Sequence, residues 1–180
     1  PICWSEAFGA LTSSVTLSGT VSGWTNNPNG FANANSSNVG ASINLWSNSD
    51  NWLISNQIDL GNTVGLYQLK YKYAVTSNNG TSSVSTLSSH KVDVVVSTDG
   101  GANWSNTNII KSYAGSGTYS NTGAFETVLL SQYSGVVKIA FVATCISSSN
   151  IDFHIDDFQI ELTPTCIPPT ALSSSNISYQ

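Results

Sequence analysis

The chain has no arginine, no methionine and only five lysines in 180 residues, against ten acids, for a net charge of −5. A nucleic-acid binder needs a basic stripe for the phosphates, so this balance excludes that class. No apolar run reaches membrane-spanning length, and no signal-peptide pattern is present. The chain starts at Pro1, which reads as an excised or mature fragment. Two histidines and three scattered cysteines make a poor zinc site. No GxSxG elbow, HExxH pair or phosphate-cradling glycine loop is found, so catalysis is not expected. Glu6 with Glu126 could be posed as a glycosidase pair, but so could any two acids of such a chain.

What is present is polar and β-like. Ser, Thr and Asn make up 67 of the 180 residues, interleaved with short alternating runs of Val, Ile, Leu and aromatics. Low charge, this polar surface and the lack of methionine suit a secreted or cell-surface protein. Strands are predicted near 3–8, 39–46, 52–60, 66–76, 91–98, 107–111, 124–130, 136–144 and 151–162, with loops at 26–38, 77–89 and 112–123. No segment keeps a helical period over three turns. The pattern predicts an all-β, two-sheet β-sandwich of jelly-roll type over residues 1–163. Residues 164–180 read as a linker and the truncated start of a fibronectin type III-like module, from PPTALSSSNIS. Neighbouring domains of a modular chain are thus expected partners.

The run IDFHIDDFQIEL at 151–162 breaks phase. Ile151, Phe153 and Ile155 lie on odd positions, Phe158, Ile160 and Leu162 on even ones, so a bulge is required at Asp156–Asp157. Two adjacent carboxylates at a kink call for a cation, here structural Ca²⁺; a solvated edge is the competing reading. Glu6 lies between Trp4 and Phe8 on one face of the first strand, and a jelly roll commonly sets its first and last strands side by side. Asp50, before the run NWLIS, is a fourth candidate ligand, with a plain turn as its alternative. Cys3 and Cys166 flank the terminal strands, so a bridge between them is expected, worth roughly 4–5 kcal/mol on the chain-entropy model. Cys145 is expected as a buried thiol; a Cys145–Cys166 bridge stays open.

An ordered set of motifs spans residues 3–162: SEAF near the start, GW at 23–24, DNWLIS and IDL within 50–60, YQLKYKYA, VDVVVSTDGGANW, VKIAFVATC and IDFHIDDFQI. This set resembles the cleaved-adhesin modules of gingipain proteases and haemagglutinins, related to MAM domains and galactose-binding-like jelly rolls. The resemblance implies a jelly roll with structural calcium in secreted multidomain bacterial proteins. It places the family's acidic positions at Glu6, Asp50, Asp156 and Asp157. One departure is NNPNGFANANSSN after the GW, where the family often carries an Asp-rich loop; asparagines bring carbonyl oxygens without charge.

Binding is the better functional class. Five tryptophans exceed the needs of one small core. Trp4 and Trp52 are expected inside, and Trp104, after STDGGAN, over its own hairpin. Trp24 and Trp46, with Tyr113 and Tyr119 on the glycine-flexible stretch SYAGSGTYSN, are the candidate ligand-binding aromatics. The expected function is a non-catalytic carbohydrate-binding module for a neutral polysaccharide. The alternative is a protein-adhesion or spacer module without sugar affinity.

Overall fold

A computed structural model describes residues 2–6, 25–27, 40–46, 49–146 and 148–164; for 2–6, 25–27, 40 and 49 the backbone alone is described. Eleven strands are found among the described residues: β1 Ile2–Glu6, β2 Thr25–Asn27, β3 Gly40–Leu45, β4 Ser49–Ile54, β5 Ile58–Asp59, β6 Tyr67–Ser77, β7 Thr86–Ser97, β8 Ile109–Ser116, β9 Ala124–Leu129, β10 Val136–Cys145 and β11 Ile151–Leu162. One sheet has the order β2-β3-β11-β6-β9, with β1 also on β11. The other has the order β4-β10-β7-β8, with β5 also on β10. Neighbouring strands are antiparallel throughout. The fold is the two-sheet β-sandwich of a jelly roll, as the strand pattern predicts. No helix among the described residues is long and apolar enough to cross a membrane.

Strand alternation builds the core. On β10, Val137, Ile139, Phe141, Ala143 and Cys145 are buried in it, and Val92, Val94 and Val96 join them from β7. From the facing sheet come Leu69, Tyr71, Val75, Phe153, Ile155, Phe158 and Ile160. Phe141 bridges the sheets, edge-on to Tyr71 at 5.1 Å and to Phe158 at 6.0 Å. Each Val, Leu, Ile or Phe among them contributes about 1.5–3 kcal/mol by leaving water.

The phase break in β11 is a bulge. Its register against β6 shifts between Asp156 and Gln159, and Asp157 adopts φ 49°. The shift returns Phe158 and Ile160 to the core side that Phe153 and Ile155 occupy. It also marks a change of neighbour. Residues 151–155 pair with β3, whereas Phe158, Gln159, Ile160 and Glu161 pair with β1. First and last strands are therefore adjacent, with Glu6 opposite Phe158.

Several expectations need correction, beginning with the predicted loops 26–38 and 77–89, which β2 at Thr25–Asn27 and β7 from Thr86 overlap. The predicted strand 52–60 is two strands, broken where Ser55 bonds Ile139 twice: Ser55 N–H donates to the Ile139 carbonyl and Ile139 N–H to Ser55 Oγ, both at 2.9 Å. The predicted loop 112–123 begins late, because β8 runs to Ser116. Trp52 is not in the main core; it lies half-buried on the outer face of β4. Cys145 is a buried thiol that accepts from Asn51 Nδ2 at 3.9 Å. The Cys3 side chain, Cys166, the Trp4 side chain and the proposed linker beyond Pro164 lie outside the described residues.

Candidate functional site

The outer face of the β4-β10-β7-β8 sheet presents three rungs. The first is apolar, running Ile54, Ala140, Val95 and Ile109 across the four strands. The second runs Trp52, Val142, Asp93 and Ser112. The third runs Asp50, Thr144, Lys91 and Ala114. Period-two alternation explains this grouping, since the residues between them face the core. Val95, Ala140 and Val142 form a small buried cluster here, with Trp52, Ile54, Trp104 and Ile109 packed on it.

Trp104 reaches the sheet from the β7–β8 connection, and its ring lies 5.6 Å from Trp52 at an angle of 58°. The preceding turn holds it in place. Ser97 Oγ donates to Asp99 Oδ1 at 2.7 Å, Asn103 N–H to the same oxygen at 3.0 Å, and Asn103 Nδ2 to Asp99 Oδ2 at 2.7 Å. These bonds, Ser97 first, hold the Asp99 carboxyl well below the usual carboxylate range. Gly101 is required: it has φ 92°, and a Cβ there would sit 3.3 Å from Lys138 and 3.5 Å from Trp104.

Around this aromatic pair lies a groove of about 300 Å³, lined also by Val95, Val142 and Ile109 and by the polar groups of Asp50, Lys91, Asp93, Thr144, Ser105 and Asn106. Asp93 is buried to 6 % exposure and fully engaged. Lys91 Nζ meets its Oδ2 at 2.7 Å, and Ser112 Oγ donates to its Oδ1 at 2.6 Å. Apolar floor, half-buried aromatic rings and a polar rim are the features of a site for an amphipathic small ligand.

The expected site residues do not converge. Asp156 and Asp157 stand together at the bulge, and the Asp156 carboxyl is raised by burial, with Lys72 opposite in register offsetting part of that. The Glu6 backbone lies beside them, while its side chain is outside the described residues. Asp50 is not brought there; it belongs to the other sheet and rims the groove. Among the described residues no group of three or more His, Cys, Asp or Glu could hold a metal.

The expected aromatics fare differently. Trp24 lies outside the described residues. Trp46 is 48 % exposed just after β3, away from the groove. Tyr113 is no loop aromatic: it sits on β8, 4 % exposed, with its hydroxyl 2.7 Å from that of Tyr71. It packs against Tyr73 and Phe153 because it lies opposite inward-facing Val92. Tyr119 is half-buried and folds back on β8, its hydroxyl donating to the carbonyls of Ala114 and Gly115 at 2.9 and 3.0 Å. The groove aromatics are instead Trp52 and Trp104. The available signal was parity, because Trp52 shares its strand face with Asp50, not with Leu53.

No protein-family model matches the chain, and no curated protein does. Solved structures do. The K1 cleaved adhesin domain of Lys-gingipain from Porphyromonas gingivalis W83 superposes with a TM-score of 0.56 at 18 % identity, over 89 % of this chain and 98 % of that one. The K3 cleaved adhesin domain of the same protein gives 0.55 at 16 %, over 89 % and 97 %. A carbohydrate-binding module of Cellvibrio mixtus lichenase 5A, solved with cellotriose, gives 0.47 at 15 %, over 91 % and 100 %. The chain has the fold of the gingipain cleaved adhesin domains.

Proposed function

We propose that this module is a non-catalytic carbohydrate-binding domain of a secreted protein, which holds a neutral polysaccharide in the groove on the outer face of the β4-β10-β7-β8 sheet. The observation that carries the reading is the Trp52–Trp104 pair beside a polar rung of Asp50, Thr144 and Lys91. A pyranose offers the same division: C–H faces lie against rings, and hydroxyls donate to carboxylates and accept from hydroxyl or ammonium groups. Affinity for one groove is modest, because sugar hydroxyls exchange water hydrogen bonds for protein ones.

Affinity electrophoresis through gels of β-glucan, xylan and mannan tests this reading. At least one polysaccharide should retard the module, and Trp104→Ala should weaken the interaction about tenfold or more with the melting temperature kept. No retardation by any glycan would leave the adhesion or spacer reading in its place. One observation favours that second reading: Phe125 and Leu129, on edge strand β9, are 56 % and 57 % exposed.

Calcium belongs to the reading at the bulge, not at the groove. Asp156 is buried to 2 % exposure, and among the described residues its carboxylate accepts a single hydrogen bond, from the Asp157 N–H to Oδ1 at 2.8 Å, so its ionised form suits a cation. Asp156 and Asp157, with Glu6 from β1, would hold the ion, which would neutralise the adjacent carboxylates and tie the terminal strands. A ligand bound only by the folded state stabilises by mass action. Chelation should lower the melting temperature of the wild type and leave Asp156→Asn/Asp157→Asn unmoved; a wild-type curve indifferent to chelator would remove calcium from the reading.

A further inference from the structure

The groove carries three charged side chains, and two of them cancel. Lys91 and Asp93 form a closed pair at 2.7 Å, and the second Asp93 oxygen is taken by Ser112. The other lysines serve elsewhere: Lys111 pairs with Glu126 at 2.7 Å, Lys70 and Lys72 flank the Phe125 ring on the other sheet, and Lys138 lies beside the Gly101 turn. Asp50 is exposed on the rim, in register with Thr144 on β10, which separates it from Lys91 on β7. Two strand spacings put the Asp50 and Lys91 backbones about 10 Å apart, and Lys91 Nζ is held on Asp93, so among the described residues no lysine pairs with Asp50.

We propose that Asp50 sets the charge specificity of this groove, accepting hydroxyl donors of a neutral glycan and excluding chains that carry carboxylate or sulfate. The inference rests on the carbohydrate reading above and adds the ligand's charge class to it. An ionised carboxylate has acceptor sites only, on two oxygens, so it matches a pair of neighbouring sugar hydroxyls and offers an anion nothing. The apolar walls of Trp52 and Val142 keep water from one side of the groove, which strengthens both the attraction and the repulsion. Asp50 therefore acts as a specificity residue of the groove and not as a ligand of a metal shared with β11.

The test runs β-glucan, xylan and mannan each beside its carboxymethyl derivative, with mobilities normalised to glycan-free gels. Wild-type module should bind the neutral chain about fivefold or more tighter than the carboxymethyl chain at low salt, and added salt should narrow the gap. Asp50→Asn should reduce the preference to about twofold or less, and Asp50→Lys should reverse it. Since Asp50 is exposed, unchanged melting temperatures are expected for both variants. If Trp104→Ala abolishes binding while Asp50→Asn keeps the wild-type preference, the specificity inference is wrong and the groove reading stands. If no neutral chain retards the wild type, both fall together.

Discussion

Trp104 owes its position to the few residues before it, so the groove depends on Asp99, a side chain that does not line it. Its ionised carboxylate accepts all three bonds from Ser97 and Asn103, and protonation would weaken them. A depressed acid pKa contributes stability that is present above the ordinary Asp range near pH 3.9 and is lost as the pH falls through the folded-state value. Acidification should therefore leave this turn intact through the ordinary Asp range and loosen it only well below about pH 4, red-shifting the Trp104 emission relative to a Trp104→Phe reference. Asp99→Ala should show the same shift at neutral pH and weaken glycan retention with little effect on the core. Emission indifferent to both changes would mean that Trp52 and the Gly101 contact alone hold the ring. In the sequence, STDGGANW announces a tight turn through its glycines and aspartate. Which neighbour the tryptophan finds afterwards depends on β4, some fifty residues earlier.

At the scale of elements, β11 was legible because its defect is written in phase. Ile155 and Phe158 cannot share a face without an extra residue between them, and the fold supplies Asp157 in a left-handed conformation that aspartate tolerates. A β-branched residue there is strained. Asp157→Val should cost about 1–2 kcal/mol and Asp157→Gly little, both measured in chelator so that carboxylate ligation does not enter. Equal stabilities of the two variants would show that the bulge can relocate. Trp52 escapes alternation for a reason of the same kind. The run NWLI is apolar on both faces of β4, so alternation does not choose the inner one, and only the parity of Asp50 does. Tyr113 is a different case: glycines around it suggest a flexible loop, but Gly115 takes its φ of 66° inside β8, and the strand continues through it.

Across the whole molecule, most of the strands and the sandwich could be inferred from local patterns, whereas lateral order could not. The groove draws on residues in the fifties, nineties, hundreds and one-forties, and nothing within one segment states that β4 lies beside β10 and β10 beside β7. The same holds where edge strands β8 and β9 meet across the sandwich. Lys111 pairs with Glu126, Glu126 also accepts from the Tyr113 hydroxyl at 3.3 Å, and Tyr113 meets Tyr71. The adjacency of β1 and β11 has a mechanical meaning. Being antiparallel, with Ile2 opposite Glu161, they bring the start of the first strand and the end of the last to one pole of the sheet opposite the groove. Tension applied between these two points would peel β1 from β11 one hydrogen bond after another, instead of loading the whole ladder in shear. A glycan seated on the far face would feel none of that separation until β11 itself gave way.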